Sequence, residues 1–345
     1  MSHMLDEIRQ QPDVLARMAA GNDAAAHALS EEFKKRDIGL IVLVARGTSD
    51  NAAIFGKYLL ELVTGIPCAL AAPSIVTLYG ASLRLGNSLV IGISQSGKAT
   101  DVVEYLQRAK GMGALTAAVT NEAGSELANA ADHTLLCHAG VERSVAATKT
   151  YTATLGALYL LASAMSDRKD LLDGLRNVPD LMGETLSCDE HIGILSERYR
   201  YMDECFVISR GINQATAAEM ALKMAETGYL GAEPYSSADF MHGPIAIVDE
   251  GFPCFLIAPD GKAFETLSDT ADKLRAKKAE LVVIAKNPAI LSKATKAIPI
   301  PVDVDELFSP LVYVLIGQLL AYHLALTKGY DPDRPRGLSK VTLTR

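Results

Sequence analysis

The chain repeats itself, and that repeat limits its possible folds more than any other feature. Sliding the sequence 164 residues along itself lays Val44-Ala45-Arg46-Gly47 over Ile208-Ser209-Arg210-Gly211, and the same register lays Gly97-Lys98-Ala99 over Gly261-Lys262-Ala263. One offset that explains two matches points to a duplicated unit. In each copy an apolar strand (Leu40 to Ala45; Cys205 to Ser209) runs into Arg-Gly, then an Ala-rich helix, then a second strand ending near Gly-Lys-Ala. A further helix and a third strand close the copies at Asn121 and Asn287. Continuous Val, Ile and Leu runs alternating with helical patterns of about 10 to 15 residues belong to parallel strands covered on both faces. The predicted fold is therefore α/β: two tandem, parallel-stranded, doubly wound units.

At 345 residues, 49% hydrophobic and 21% charged, the composition is globular and large enough for two cores. Residues 1–30 read as a helical preface, with Leu5, Ile8, Val14, Leu15 and Met18 at helical spacing around Pro12. The first domain is placed at 31–165, a charged linker at 166–195 and the second domain at 196–330. A tail at 331–345 holds two prolines and Gly337 and is expected to be irregular, lying over the surface unless docked.

Lys plus Arg number 33 against 41 Asp plus Glu, a formal charge of −8, and no basic run interleaves with aromatics, which excludes nucleic acid as a first choice of partner. Leu155 to Met165 and Leu311 to Leu326 fall short of the ~20 apolar residues that span a bilayer, and the second holds Gln318 and His323, so both read as buried helices rather than membrane segments. No leader pattern opens the chain, and a cytoplasmic address is expected. The five cysteines form no CxxC and read as reduced buried thiols. The histidines show no HxxxH or HExxH, so neither metal nor cofactor is expected.

Open parallel sheets bind ligands where strands give way to helices, because helix N-termini present unpaired N–H groups. After the first strand stands Gly47-Thr48-Ser49-Asp50-Asn51, and after the second Ser94-Gln95-Ser96-Gly97-Lys98-Ala99-Thr100-Asp101. Helix capping accounts for either turn alone. The repeat supplies a control: Ala258, Pro259 and Asp260 replace Ser94, Gln95 and Ser96 in the second copy, so hydroxyls kept in one copy favour anion binding there. No GxxxxGK[ST] is present, and a monoester phosphate on a small molecule fits better than a nucleotide. Lys98 either adds charge or is a solvated first-turn side chain. A third polar turn, Glu142 to Thr150, is either a capped helix start or, through its small residues, a close backbone approach to a ligand.

In the second copy Glu219, Lys223 and Glu226 share one helix face. An exposed ion pair is one reading; the surrounding Ala, Met and Leu argue that the charges are sheltered. The following stretch from Tyr235 to Pro244 reads as a loop in which Gly243-Pro244 would fix the direction of His242, as acid–base work requires.

At these residues the chain resembles the sugar isomerase (SIS) domain family, in the double-SIS arrangement of the isomerase half of glucosamine-6-phosphate synthase. The resemblance runs through Glu7-Ile8-Arg9-Gln10-Gln11-Pro12, Gly47-Thr48-Ser49, Ser94-Gln95-Ser96-Gly97 and Val145-Ala146-Ala147-Thr148-Lys149. It continues through Glu219 to Glu226, His242-Gly243-Pro244 and Pro335-Arg336-Gly337-Leu338-Ser339-Lys340. It implies a hexose 6-phosphate site with the phosphate on Thr48, Ser94, Gln95 and Ser96, flanked by Gly47 and Ser49, and the sugar hydroxyls on backbone near Val145, Ala146 and Ala147. Three positions depart from the family: Ala99 replaces a hydroxyl that Thr100 would substitute, Ala147 replaces a Ser, and Arg46 replaces a Cys.

The resemblance further implies that Glu226 shuttles the proton, His242 opens the ring, Lys223 is its electrostatic partner and Lys340 contacts the open-chain carbonyl. In related enzymes the histidine comes from a partner subunit, so a homodimer sharing its sites is implied. Met1 leads almost directly into the preface, with no glutaminase half, and the expected reaction is glucosamine 6-phosphate deamination to fructose 6-phosphate and ammonia. The rivals are a fructosamine-6-phosphate deglycase, a plain aldose/ketose isomerase and, from another class, a non-catalytic sugar-phosphate sensor.

Overall fold

Strands built only of Val, Ile and Leu have no face to turn to water, so they persist only in a sheet covered on both sides. The computed structural model, which describes residues 2–166 and 168–340, contains two such sheets. Three helices open the chain, α1 (His3–Arg9), α2 (Gln11–Gly21) and α3 (Asp23–Lys35). Then come β1 (Leu40–Val44), α4 (Thr48–Thr64), β2 (Cys68–Leu70), α5 (Ser74–Thr77), β3 (Ser88–Ile93) and α6 (Thr100–Gly111). β4 (Leu115–Thr120), α7 (Glu126–Ala130), β5 (His133–Leu136) and α8 (Lys149–Ser166) follow. The five strands are parallel in the order β2-β1-β3-β4-β5, with Leu40 opposite Ser88 and Leu89 opposite Leu115.

After α9 (Lys169–Thr185), which carries Pro179 inside it, and α10 (Asp189–Ser196), the pattern recurs. It runs β6 (Glu204–Ser209), α11 (Gln214–Gly228), β7 (Gly231–Ser236), α12 (Ser237–Met241), β8 (Pro253–Ile257) and α13 (Phe264–Ala276). It ends with β9 (Glu280–Ala285), α14 (Pro288–Leu291), β10 (Lys296–Pro299) and α15 (Ser309–Thr327). The second sheet, β10-β9-β8-β6-β7, is again parallel and has the strand order of the first. Two compact units result: one holds residues 10–142, 147–179 and 339–340, the other residues 2–9, 143–146 and 180–338. They are called the first and the second unit.

Each unit has one helix that is apolar all round, and such a helix must be buried. In the first unit α8 packs against α2, α3 and α4; in the second, α15 packs against α1, α10 and α11. At 19 residues α15 is longer than the sequence suggested and apolar enough to cross a bilayer, yet 89% of its apolar window is buried inside the unit, which makes it a core helix.

Of the four edge strands, β2 and β7 were hidden from the sequence reading by their composition. β2 has three residues, two of them exposed, and β7 contains Gly231, Glu233 and Pro234. Pairing on one side only tolerates a proline that a central strand would reject. The stretch read as a loop from Tyr235 is instead the end of β7 followed by α12, and His242 and Gly243 form the turn between α12 and a short 3-10 helix that Pro244 opens.

The turn after β3 depends on Gly97, whose φ is +62°. A Cβ there would lie 2.1 Å from Ser125 Oγ and 2.3 Å from Ser125 Cβ. Gly97→Ala should therefore cost about 2 kcal/mol or more in urea unfolding. A loss below about 0.5 kcal/mol, the range of neutral surface changes, would show that the turn tolerates a side chain.

Candidate active site

In the first unit β1 and β3 are neighbours, so the turns that follow them lie side by side at one end of the sheet. Gly47, with φ +55°, leads into α4, whose first residues are Thr48 and Ser49. After β3 the Ser94 amide donates to Val119 O at 3.1 Å and the Gly97 amide to Ser94 O at 3.1 Å, closing a tight turn. Gln95, Ser96 and Lys98 of that turn line a cleft of about 500 Å³, together with Glu122, Glu142 and Lys340. A second cavity, about 30 Å³, is bounded by Thr48, Ser49, Gln95 and Ala147. Gln95 borders both. Thr100, exposed at the start of α6, lines neither.

Glu142 is the charged group at the back of the large cleft. Its side chain is fully buried, and it accepts from the amides of Thr148 (3.0 Å) and Thr150 (3.1 Å), from Thr150 Oγ1 (2.7 Å) and from Lys340 Nζ (2.8 Å). Burial opposes its ionisation, but the Lys340 ammonium and the amides at the start of α8 outweigh it and hold the carboxyl below its ordinary range. Lys149 ties down the same wall by donating to Val141 O (2.8 Å) and Gln10 Oε1 (2.9 Å). Arg46 is held by Asp101, Nε to Oδ2 at 2.6 Å, so its charge is engaged within the protein.

In the second unit Glu7 of α1 accepts from the amides of Arg143 and Ser144, which fixes the backbone leading into Val145 and Ala146. On α11 the sheltered reading of the charges holds. Lys223 and Glu219 are fully buried, and Lys223 Nζ lies 2.5 Å from Glu226 Oε2 and 3.5 Å from Glu219 Oε1. Glu226 keeps 23% of its side chain exposed, so of the three only this carboxylate can meet a ligand. His242 is exposed at the end of α12, framed by Gly243 at φ +153° and by Pro244, which opens the next turn.

The tail is docked. In the second unit the Arg336 guanidinium lies 3.8 Å from the centre of the Tyr229 ring, and the Arg336 amide donates to Tyr229 Oη at 2.8 Å. In the first unit Lys340 reaches the cleft. Burial pushes the thiols of Cys68, Cys137 and Cys254 up to about 12, so they stay protonated and inert.

Sequence reasoning did not assign Glu142, Glu122 or Ser125 to the cleft. A carboxylate a few residues ahead of paired threonines at a helix start was the available signal for Glu142.

Lys223→Met should lower stability by about 3–5 kcal/mol, because it leaves the Glu219 charge buried and uncompensated. Adding Glu219→Leu should recover most of that loss in thermal and urea unfolding. Simple additivity of the two losses would show that the charges do not act as a pair.

A family model described as the SIS domain matches residues 36–164 and 202–328. A glutamine–fructose-6-phosphate aminotransferase (isomerizing) from Thermococcus kodakarensis is 38% identical over 347 residues, which cover 98% of this chain and 57% of that protein. The chain thus spans a little over half the length of the curated relatives it matches. The C-terminal domain of the glucosamine-fructose-6-phosphate aminotransferase of Francisella tularensis superposes with a TM-score of 0.89 at 28% identity, covering 97% of this chain and 98% of that one. A structure from Silicibacter pomeroyi described as a candidate phosphosugar isomerase gives 0.86 at 34% identity, covering 96% and 100%. With both repeats matched and relatives above 30% identity along nearly its whole length, the chain belongs to the SIS domain family and carries two SIS regions.

Proposed function

We propose that this chain is a phosphosugar isomerase acting as an aminosugar-phosphate deaminase, converting glucosamine 6-phosphate and water into fructose 6-phosphate and ammonia. The observation that carries the reading is the cleft of the first unit, where the Ser96 and Gln95 turn meets Lys340. Hydroxyls and amides at a strand end suit a phosphate dianion, and a lysine in the same cleft suits a carbonyl oxygen that gains negative charge. The relatives' names join fructose 6-phosphate to amino transfer, and a site that moves the proton in one direction moves it in the other.

In this reading Thr48, Ser94, Gln95 and Ser96 hold the phosphate without help from Thr100, and backbone from Val145 to Ala147 holds the sugar hydroxyls. His242 protonates the ring oxygen and opens the pyranose to the aldehyde. Glu226 removes the proton from C2 and returns it to C1 while a proton of the amine passes to the C1 oxygen, so that the C1 carbonyl becomes an alcohol and C2 an imine. Lys340 stabilises the oxygen on C1 while its charge builds. Water then adds to C2 and ammonia leaves. The exposed position of His242 suits service to the site of a second subunit, so the enzyme is proposed to be a homodimer.

Glu226→Gln should lower turnover about 10²–10⁴-fold, the usual range for a proton-transfer group, while fructose 6-phosphate binding measured by calorimetry persists. Wild-type turnover in that variant removes Glu226 from the mechanism. Ammonia release from glucosamine 6-phosphate supports the deaminase; lysine release from fructoselysine 6-phosphate without ammonia release overturns it in favour of a deglycase.

A further inference from the structure

Glu142 has no assigned part in the chemistry, yet it is the acceptor for Lys340 in the cleft. Its carboxylate is held from behind by two amides and one hydroxyl at the start of α8, so it is a fixed point rather than a mobile counter-ion. Lys340 is held by a buried carboxylate yet keeps 27% of its own side chain exposed, on the wall that Gln95 and Ser96 also line.

The second unit shows what a carboxylate does in the corresponding connection when no lysine engages it. Glu306, between β10 and α15, turns onto the strand-end turn of its own sheet, where its Oε2 accepts from the Lys262 amide at 2.5 Å and its Oε1 from the Ala263 amide at 3.3 Å. The matching amides of the first unit belong to Lys98 and Ala99, beside Ser96. Glu142 is turned away from them to α8 and Lys340.

We infer that Glu142 is a positioning residue for the reaction: it holds the Lys340 ammonium at the wall of the phosphate cleft and, held in turn by α8, stays off the turn that takes the anion. The inference rests on the phosphosugar reading for its catalytic consequence, but the Lys340–Glu142 pairing itself does not.

The test has two arms. In the absence of substrate, Lys340 is labelled with acetic anhydride at fixed pH and quantified by peptide mass spectrometry. Glu142→Gln should raise its labelling rate about 3- to 10-fold, because the amine loses the buried acceptor that holds it against the cleft wall. In the presence of substrate the same variant should lose about 10- to 100-fold in kcat with KM changed less than about threefold, the pattern of a group misplaced in the transition state. Glu142→Asp, which keeps the charge, should restore part of both. Thr150→Val, which removes one bond to Glu142 without touching the lysine, should lower stability and leave Lys340 labelling unchanged. Unchanged labelling in Glu142→Gln, or a kcat within twofold of wild type, overturns the inference. Absence of activity in the wild-type enzyme defeats the functional reading instead, and the labelling arm then still decides the pairing.

Discussion

Backbone amides freed where parallel strands run into helices are the constraint around which this chain is organised. Each such N–H needs an acceptor, and a buried one without an acceptor costs on the order of 1–3 kcal/mol. The chain meets much of that need with its own carboxylates: Glu7 on Arg143 and Ser144, Glu142 on Thr148 and Thr150, and Glu306 on Lys262 and Ala263. At the turn after β3 the arrangement is different. There the Lys98 amide has only a long contact, 3.3 Å, to Ser96 Oγ on an exposed surface. A turn served by its own hydroxyl rather than by a carboxylate can exchange that hydroxyl for the oxygen of a ligand at small cost, because no buried charge has to move.

The two halves have the same strand order, so their functional difference lies in a few side chains at the turns and not in topology. Where the first has Ser96, the second has Asp260, which accepts from Asn287 Nδ2 at 2.9 Å. With Glu306 already on the amides and Asp260 beside them, an incoming phosphate would meet two negative charges. The second half instead carries its buried charges on α11, whose partner α15 is the apolar centre of that unit.

Much of this was legible in the residues. Duplication, parallel sheets, the two hydroxyl-bearing turns and the sheltered charges on α11 all follow from local patterns, because buried parallel strands and strand-end turns leave contiguous signatures. What was not legible depends on contacts between distant segments. β7 was obscured by Pro234, which an edge strand accepts only because no further strand pairs beyond it. Glu142 read as part of a polar turn, since the lysine that gives it meaning lies 198 residues away. The engagement of Arg46 was equally hidden, since Asp101, which holds it, lies 55 residues on.

The arrangement on α11 also shows how a buried lysine is kept compensated while one carboxylate beside it stays accessible. Two carboxylates share one ammonium there, so the cluster carries one net negative charge when all three groups are ionised. An ammonium left without a counter-charge in the core costs several kcal/mol. With Glu219 as a fully buried partner, Lys223 stays compensated within the protein, and Glu226, which keeps 23% of its side chain exposed, can turn toward a ligand without leaving an unpaired cation behind. Glu219 is therefore the buried partner of Lys223, and Glu226 is the carboxylate of the cluster that faces outward.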